Sequence, residues 1–228
     1  MPRQESKPHY IGHRQRLKSR FDASPESVPD YEILELLLGY ALPQRDTKPL
    51  AKDLLARFGT LGSVLTASGQ ALQDVPGVGP GVGLFFTLLQ ETRARQEQSG
   101  LLGRDVLSSP ERVARMARER FGRLSHEEFW VALVDNKNRL CDFCRLFTGT
   151  VDQTAVYPRE VLRLALTKQA SGLILVHNHP GGDPTPSPQD KDLTNRLLSA
   201  SRELGVRILD HVIVCEETFF SFQSSHML

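Results

Sequence analysis

The most chemically suggestive stretch of this 228-residue chain reads His177-Asn178-His179-Pro180-Gly181-Gly182-Asp183-Pro184-Thr185-Pro186-Ser187-Pro188-Gln189-Asp190. It follows the apolar run Gly172-Leu173-Ile174-Leu175-Val176, which has the length and character of a buried strand. In extended backbone, side chains at i and i+2 leave the same face, so the imidazoles of His177 and His179 point to one side. Two imidazoles on one side are the start of a zinc site, which takes nitrogen, oxygen or sulfur ligands in a tetrahedral array. The third ligand must come from elsewhere, and Asp190 sits at the start of the next helix, where the chain can turn back. Two nitrogens, one carboxylate and an open position make a catalytic arrangement, in contrast to a closed structural shell. The same residues also read as a helix start, with Ser187 as N-cap, Pro188 in the first turn and an acid three residues after the cap. Both readings of Asp190 stay open.

Such residues need a scaffold, and the chain divides into two parts of different periodicity. The first part is helical. Residues 31–38 follow a Pro-Asp start signal, residues 48–58 and 70–75 keep helical spacing, and residues 83–95 end on a basic face. Gly, Ser and Pro in residues 97–110 interrupt both periodicities, which places a linker near 97–108. Beyond it the spacing predicts a helix over 110–121, a buried strand over 129–134, turn chemistry at Asp135-Asn136-Lys137-Asn138 and a strand over 140–146. Pro158 opens a helix over 159–168. The strand at 172–176, a helix over 188–204 and two short strands, 206–209 and 211–214, complete the pattern. Strand and helix alternation predicts an α/β fold class, with a helical domain over 1–100 and an α/β domain over 105–228. There is no internal repeat.

His-x-His-Pro, six residues, then Ser-x-x-Asp resembles the signature of JAB/MPN-domain metalloproteins, the JAMM motif. With Gly182 and Pro186-Ser187 in place, the string is closer still to the RadC family of bacteria. Tyr157-Pro158-Arg159-Glu160-Val161, residues 170–176 and Leu209-Asp210-His211-Val212-Ile213 resemble that family's flanking blocks. Gly12-His13-Arg14-Gln15-Arg16-Leu17 and Tyr31-Glu32-Ile33-Leu34-Glu35 resemble its helical region. The resemblance implies a C-terminal three-layer, cytidine-deaminase-like domain around a central mixed sheet, preceded by an all-α domain. It also implies one zinc ion on His177, His179 and Asp190 with water as fourth ligand, whose pKa the metal lowers to about 7.

In JAB/MPN enzymes the general base is a glutamate just before a core strand. Glu127 and Glu128 both precede the strand at 129–134; the Glu-x-Phe spacing, which resembles that of RadC sequences, favours Glu127, with Glu128 the alternative. Ser187 would donate a hydrogen bond to the developing oxyanion, cap its helix, or do both. Asp210-His211 has three readings: a pair orienting a ligand histidine, a third histidine ligand, or a polar pair at a strand end. The implied activity is that of a metallopeptidase or isopeptidase-like hydrolase acting on a protein substrate.

The helical part carries Val75-Pro76-Gly77-Val78-Gly79-Pro80-Gly81-Val82-Gly83 within a segment of about 70–95 that resembles a helix-hairpin-helix module. In such modules glycines let backbone N–H groups approach a DNA phosphate beside a helix N-terminus, which makes Gly77 and Gly79 candidate DNA contacts. No Lys or Arg follows the hairpin closely; Arg93 and Arg95 come late in the helix. The alternative is a tight helix–helix turn that needs positive φ. The first 20 residues carry Arg3, Lys7, Arg14, Arg16, Lys18 and Arg20 against Glu5 alone, an arm suited to salt-sensitive phosphate contacts or a solvated tail. Two rival functions follow. One is a metal-dependent DNA-processing nuclease, since zinc-activated water attacks phosphorus as well as carbonyl carbon. The other is a non-catalytic DNA-binding protein associated with DNA repair, to which the RadC name is historically linked.

Composition narrows the classes. With 39% hydrophobic and 24% charged residues, mean hydropathy −0.30 and net charge +1, the chain reads as an ordinary soluble protein. It makes no whole-molecule electrostatic claim on nucleic acid or membrane. No apolar run approaches the roughly 18 residues of a membrane span, and the basic N-terminus lacks the apolar stretch of a secretory signal. Cys141, Cys144 and Cys215 are too few and too odd in number for a disulfide framework and fit a reducing cytoplasm. Residues three apart in a strand point to opposite faces, so Cys141-x-x-Cys144 reads as packing and not as a second zinc site. The oligomeric state is not encoded.

Overall fold

Helical spacing in the first part of the chain and strand spacing in the second are realised as two compact units, Met1–Glu91 and Thr92–Leu228. The computed structural model describes residues 9–106, 110–149 and 156–228. Residues 107–109 of the expected linker, and Arg3, Glu5 and Lys7 of the basic arm, lie outside them.

The first unit contains α1 (His9–Ala23), α2 (Asp30–Ala41), α3 (Lys48–Phe58), α4 (Leu61–Thr66) and α5 (Gly69–Gln73), and the start of α6 (Pro80–Leu101). Leu34, Leu38, Leu54, Val64, Leu72 and Phe86 are fully buried in one core. The hydroxyls of Thr60 and Ser68 cap α4 and α5, accepting from Ser63 N and Ala71 N at 3.1 Å each. Much of the basic character of α1 is used internally. Arg20 pairs with the buried Glu32, and Arg14 donates to Pro43 O and Arg45 O at 2.6 Å. Helix α1 contains residues 12–17, which the resemblance places in a helical region; α4 lies outside the segments whose spacing predicts a helix.

The second unit adds α7 (Pro110–Phe121), β1 (Glu128–Val134), β2 (Leu140–Thr148), α8 (Pro158–Thr167), β3 (Gly172–Asn178), α9 (Pro188–Glu203), β4 (Arg207–Val214) and β5 (Phe219–Ser221). The strand order is β2-β1-β3-β4-β5, with β3 and β4 parallel and the other pairs antiparallel. Every residue of β1 and β3 is buried, which explains why both read as unbroken apolar runs. Their alternate residues feed two cores. Trp130, Ala132, Ile174 and Val176 pack with Val113, Met116 and Ala117 of α7; Phe129, Val131, Leu173 and Leu175 pack with Val161 of α8 and Leu197 of α9. The result is a three-layer α/β unit around a mixed sheet.

Two boundaries differ from expectation. Helix α6 continues through residues 97–100, where a single glycine near the helix end costs only about 1 kcal/mol. The division into units falls at Glu91/Thr92, inside that helix, and not in a linker. The two short strands expected at 206–209 and 211–214 form one strand, because Asp210 finds partners in it and in the following segment. Its carboxylate accepts from His211 N (2.7 Å), Ser221 Oγ (2.6 Å) and Gln223 N (2.9 Å). Among the described residues no helix is long and apolar enough to cross a membrane.

Candidate metal centre

The end of β3 and the start of α9 bring His177, His179 and Asp190 together. His177 Nε2 and His179 Nε2 stand 3.0 Å apart, and Asp190 faces them at 3.2 Å (Oδ1 to His177) and 3.4 Å (Oδ2 to His179). Ligand atoms about 2.0–2.1 Å from a tetrahedral zinc are separated by about 3.3 Å, so these spacings fit a shared cation. Among the described residues this is the one group of three or more His, Cys, Asp or Glu side chains placed to hold a metal ion.

Each of the three side chains is oriented from behind. Ser187 N donates to Asp190 Oδ2 at 2.8 Å and Ser187 Oγ donates to the same oxygen at 2.6 Å, while Asp190 N returns a bond to Ser187 Oγ at 3.1 Å. This reciprocal capping box aims the carboxylate. His179 Nδ1 lies 2.8 Å from Asp183 O; a carbonyl only accepts, so the ring proton is on Nδ1 and Nε2 keeps its lone pair for a metal.

His177 is set by a longer chain. Thr194 Oγ1 donates its single proton to Asp190 O (2.6 Å), so it accepts from His211 Nδ1 (2.7 Å). Burial holds the His211 imidazole well below the usual histidine range, and the neighbouring His177 adds to this. Neutral His211 therefore offers its Nε2 lone pair to His177 Nδ1–H (2.9 Å), which leaves the His177 Nε2 lone pair free to face a cation. Phe129 stacks on His177 at 5.8 Å and Phe222 on His211 at 4.8 Å. Of the three readings for Asp210-His211, this geometry corresponds to the orienting one, carried by His211; Asp210 turns to Ser221 and away from the histidines.

The charges match the geometry. When the imidazoles also carry a proton on Nε2, their hydrogen bonds and that of Ser187 outweigh burial, which would raise the Asp190 carboxyl, and hold the group well below the carboxylate range. The Asp190 carboxylate raises His179 above the usual histidine range against the effect of burial, with a smaller contribution from Glu127.

Strand parity separates the two glutamates. Phe129 is the register partner of His177, and Glu127, two residues before it, is on the same side. Both glutamates line a groove of about 630 Å³ together with Phe129, Tyr157, His177 and Asp190, and of the two only Glu127 is exposed. Glu128 is buried, and its carboxylate accepts from Trp130 Nε1 and Arg145 at 2.8 Å each.

Asn178, between the two histidines and fully buried, is the residue that sequence reasoning missed. Its Oδ1 accepts from Glu128 N (2.7 Å) and its Nδ2 donates to His126 O (2.9 Å), gripping the backbone on both sides of Glu127. Period-2 alternation sends its side chain to the face opposite His177, and a polar side chain buried there requires such partners. Thr194 was likewise not singled out, although it stands one helical turn after Asp190.

The remaining candidates lie elsewhere. Gly77 has φ +93° and Arg45 packs where its Cβ would be, donating to Gly77 O at 2.9 Å; nothing stands within 4 Å of a Cβ built at Gly79. Cys141 is exposed, while Cys144 is half-buried, its thiol pushed up to about 11 by burial and by Asp142. Neither belongs to the His-Asp cluster.

A mixed sheet between helices, with a His-x-His strand end facing a helix-borne aspartate, defines a JAB-type domain. The chain matches the family model of the RadC-like JAB domain over residues 107–227, more than half its length, and it belongs to that family.

Proposed function

We propose that the chain is a zinc-dependent hydrolase that cleaves a peptide or isopeptide-like amide bond in a protein substrate. The observation that carries this reading is the convergence of His177 Nε2, His179 Nε2 and the Asp190 carboxylate at mutual distances of 3.0–3.4 Å beside an open groove. Membership of the RadC-like JAB family supports it. When bound, the metal would supply a Lewis acid for the scissile carbonyl and a water that is nucleophilic near neutral pH.

The chain's own residues do the rest. Glu127 takes the proton of the attacking water and returns it to the leaving nitrogen. Asn178 holds the backbone on either side of Glu127, and His211 with Thr194 keeps the His177 proton on Nδ1. Phe129, Tyr157 and Leu193 supply apolar surface to the substrate. Ser187 orients Asp190; its one hydroxyl proton can support an oxyanion only after it swings off Asp190 Oδ2. The three cysteines, all free, suit a reducing cytoplasm.

Protein purified without chelator should carry about one zinc per chain, lost in His177→Ala plus His179→Ala. Glu127→Gln should keep the metal and lose cleavage of peptide and isopeptide substrates. Absence of zinc from the unaltered protein would sink the reading.

A second reading concerns partners. Arg45 sets a cation against Gly77, where the sequence around the hairpin has none, which favours contact between Gly77, Gly79 and a DNA backbone. Gel-shift titration of Arg45→Gln at low salt checks it: binding equal to that of the unaltered protein refutes it.

A further inference from the structure

Residues 92–123 carry eight arginines against four acids, in a chain whose whole net charge is +1. Most of these arginines are engaged. Arg93 reaches Glu119 at 3.3 Å, Arg118 donates to Glu216 O at 3.0 Å, Arg123 pairs with Glu216 at 3.0 Å, and Arg120 lies 5.1 Å from the centre of the Trp130 ring. Arg104, Arg112 and Arg115 differ. Among the described residues no carboxylate lies within 4.0 Å of their guanidinium groups. All three instead line one recess of about 450 Å³, together with Gln96, Glu97 and Gly100 of α6.

The backbones that carry these cations are fixed. Gly103 N donates to Leu140 O (2.8 Å), Leu140 N to Arg104 O (2.9 Å) and Val106 N to Asn138 O (3.1 Å), which ties the Arg104 segment to the edge of β2. Arg112 and Arg115, three apart on α7, share an exposed face whose reverse is anchored by buried Val113, Met116 and Ala117. Three arginines lining one recess repel one another, and Glu97, the one acid among the lining residues, cannot neutralise all three. A phosphate can: a monoester carries about −1.5 to −2 charges at neutral pH, a backbone diester about −1, and both present oxygens that match the guanidinium fork.

We propose that this recess binds a phosphate group, presented either by a phosphorylated small molecule or by a nucleic-acid backbone. It lies on the α7 side of the unit, whereas the metal centre forms at α9 on the other face of the sheet. The proposal therefore does not rest on the hydrolase reading.

Full-length protein is titrated with inorganic pyrophosphate by calorimetry and with fluorescein-labelled single-stranded DNA by anisotropy, at about 50 and 200 mM salt. Arg112→Glu plus Arg115→Glu should weaken binding of whichever probe the unaltered protein takes by about tenfold or more, and flatten the salt dependence. Arg159→Glu plus Arg163→Glu makes the same charge change on α8 and should alter affinity by less than about twofold. Arg104→Gln, which makes a smaller change, should weaken binding several-fold and carries the test should the double reversal fail to fold. Pyrophosphate binding without DNA binding identifies a small phosphorylated ligand; DNA binding that pyrophosphate displaces poorly identifies a nucleic-acid backbone. The proposal is overturned by failure of the unaltered protein to bind either probe, by equal weakening in the two double variants, or by undiminished binding when the recess is altered.

Discussion

Thr194→Val tests whether a chain of hydrogen bonds decides which nitrogen of His177 faces the metal. Valine matches threonine in shape but lacks the hydroxyl. In the native arrangement Thr194 Oγ1 accepts from His211 Nδ1 at 2.7 Å, and His211 Nε2 accepts from His177 Nδ1 at 2.9 Å. Without the hydroxyl, the His211 Nδ1–H has no acceptor in a site that is completely buried. An unmet buried donor costs about 1–3 kcal/mol. The ring escapes this cost by moving its proton to Nε2, where it faces His177 Nδ1. His177 must then carry its own proton on Nε2, the atom aimed at His179 and Asp190, and cannot ligate. Either outcome weakens metal binding by roughly tenfold to a hundredfold, at about 1.4 kcal/mol per factor of ten. Competition with a chromophoric chelator, using Zn²⁺ and Co²⁺ at fixed pH, measures it. Thr194→Ser keeps the oxygen and should behave like the unaltered protein. Affinity of Thr194→Val within about twofold of the unaltered protein, or Thr194→Ser as weak as Thr194→Val, refutes the reasoning.

Glu127→Gln and Glu128→Gln should separate cleanly: the first abolishes hydrolysis with metal content and melting temperature unchanged. The second leaves hydrolysis measurable and lowers stability, because the Arg145 and Trp130 bonds to a buried carboxylate are weakened. Asn178→Ala leaves His126 O and Glu128 N unpaired and should cost about 2–5 kcal/mol in urea unfolding, with faster amide exchange across residues 126–128; a loss below about 0.5 kcal/mol contradicts the clamp. Gly77→Ala meets a φ of +93° and the Arg45 side chain, so it should cost about 1–3 kcal/mol, read by the same unfolding experiment. The raised pKa of His179 gives two pH trends of opposite sign. In metal-free protein, the stabilisation from its pairing with Asp190 is full below the unfolded histidine pKa and fades as pH rises through the raised folded value. Metal binding expels that proton, so affinity falls as pH drops through the same value, by up to about tenfold per unit. Trends of the same sign in melting and in chelator competition would contradict this account.

The parts of the site that could be read in the sequence are those where spacing alone fixes direction. His177 and His179 are two apart at a strand end, so their side chains must share a face. The residues that orient them could not be read in that way. His211 lies 34 positions from His177, and nothing local distinguishes a strand histidine that serves a neighbour from one that serves the core. Glu127 and Glu128 could not be ranked by chemistry, since both precede the same strand. The register pairing of Phe129 with His177 sets which face of the sheet each takes, and register depends on the partner strand. The boundary at residues 97–100 failed for a different reason. Gly and Ser weaken a helix by amounts that tertiary packing overrides, so composition marked a break where α6 continues to Leu101.

Asp190 shows why a bland and a functional reading of one residue need not compete. The capping box engages Oδ2 with Ser187 N and Ser187 Oγ, leaving Oδ1 directed at His177. A carboxylate on a flexible loop would lose rotamer freedom on meeting a metal; here the helix cap has already fixed the side chain. The same bonds help keep the group ionised, since both Ser187 donors bind a carboxylate oxygen more strongly than the oxygen of a protonated acid, which would also ligate a cation poorly. Pro188 extends the effect by presetting φ for the first helical turn, so the ligand's backbone is oriented before its side chain is. Loss of the cap through Ser187→Ala should therefore weaken the helix start and metal binding together, at roughly 1 kcal/mol for the cap. A variant that loses helix stability while binding Zn²⁺ unchanged would show that the two roles are separable after all.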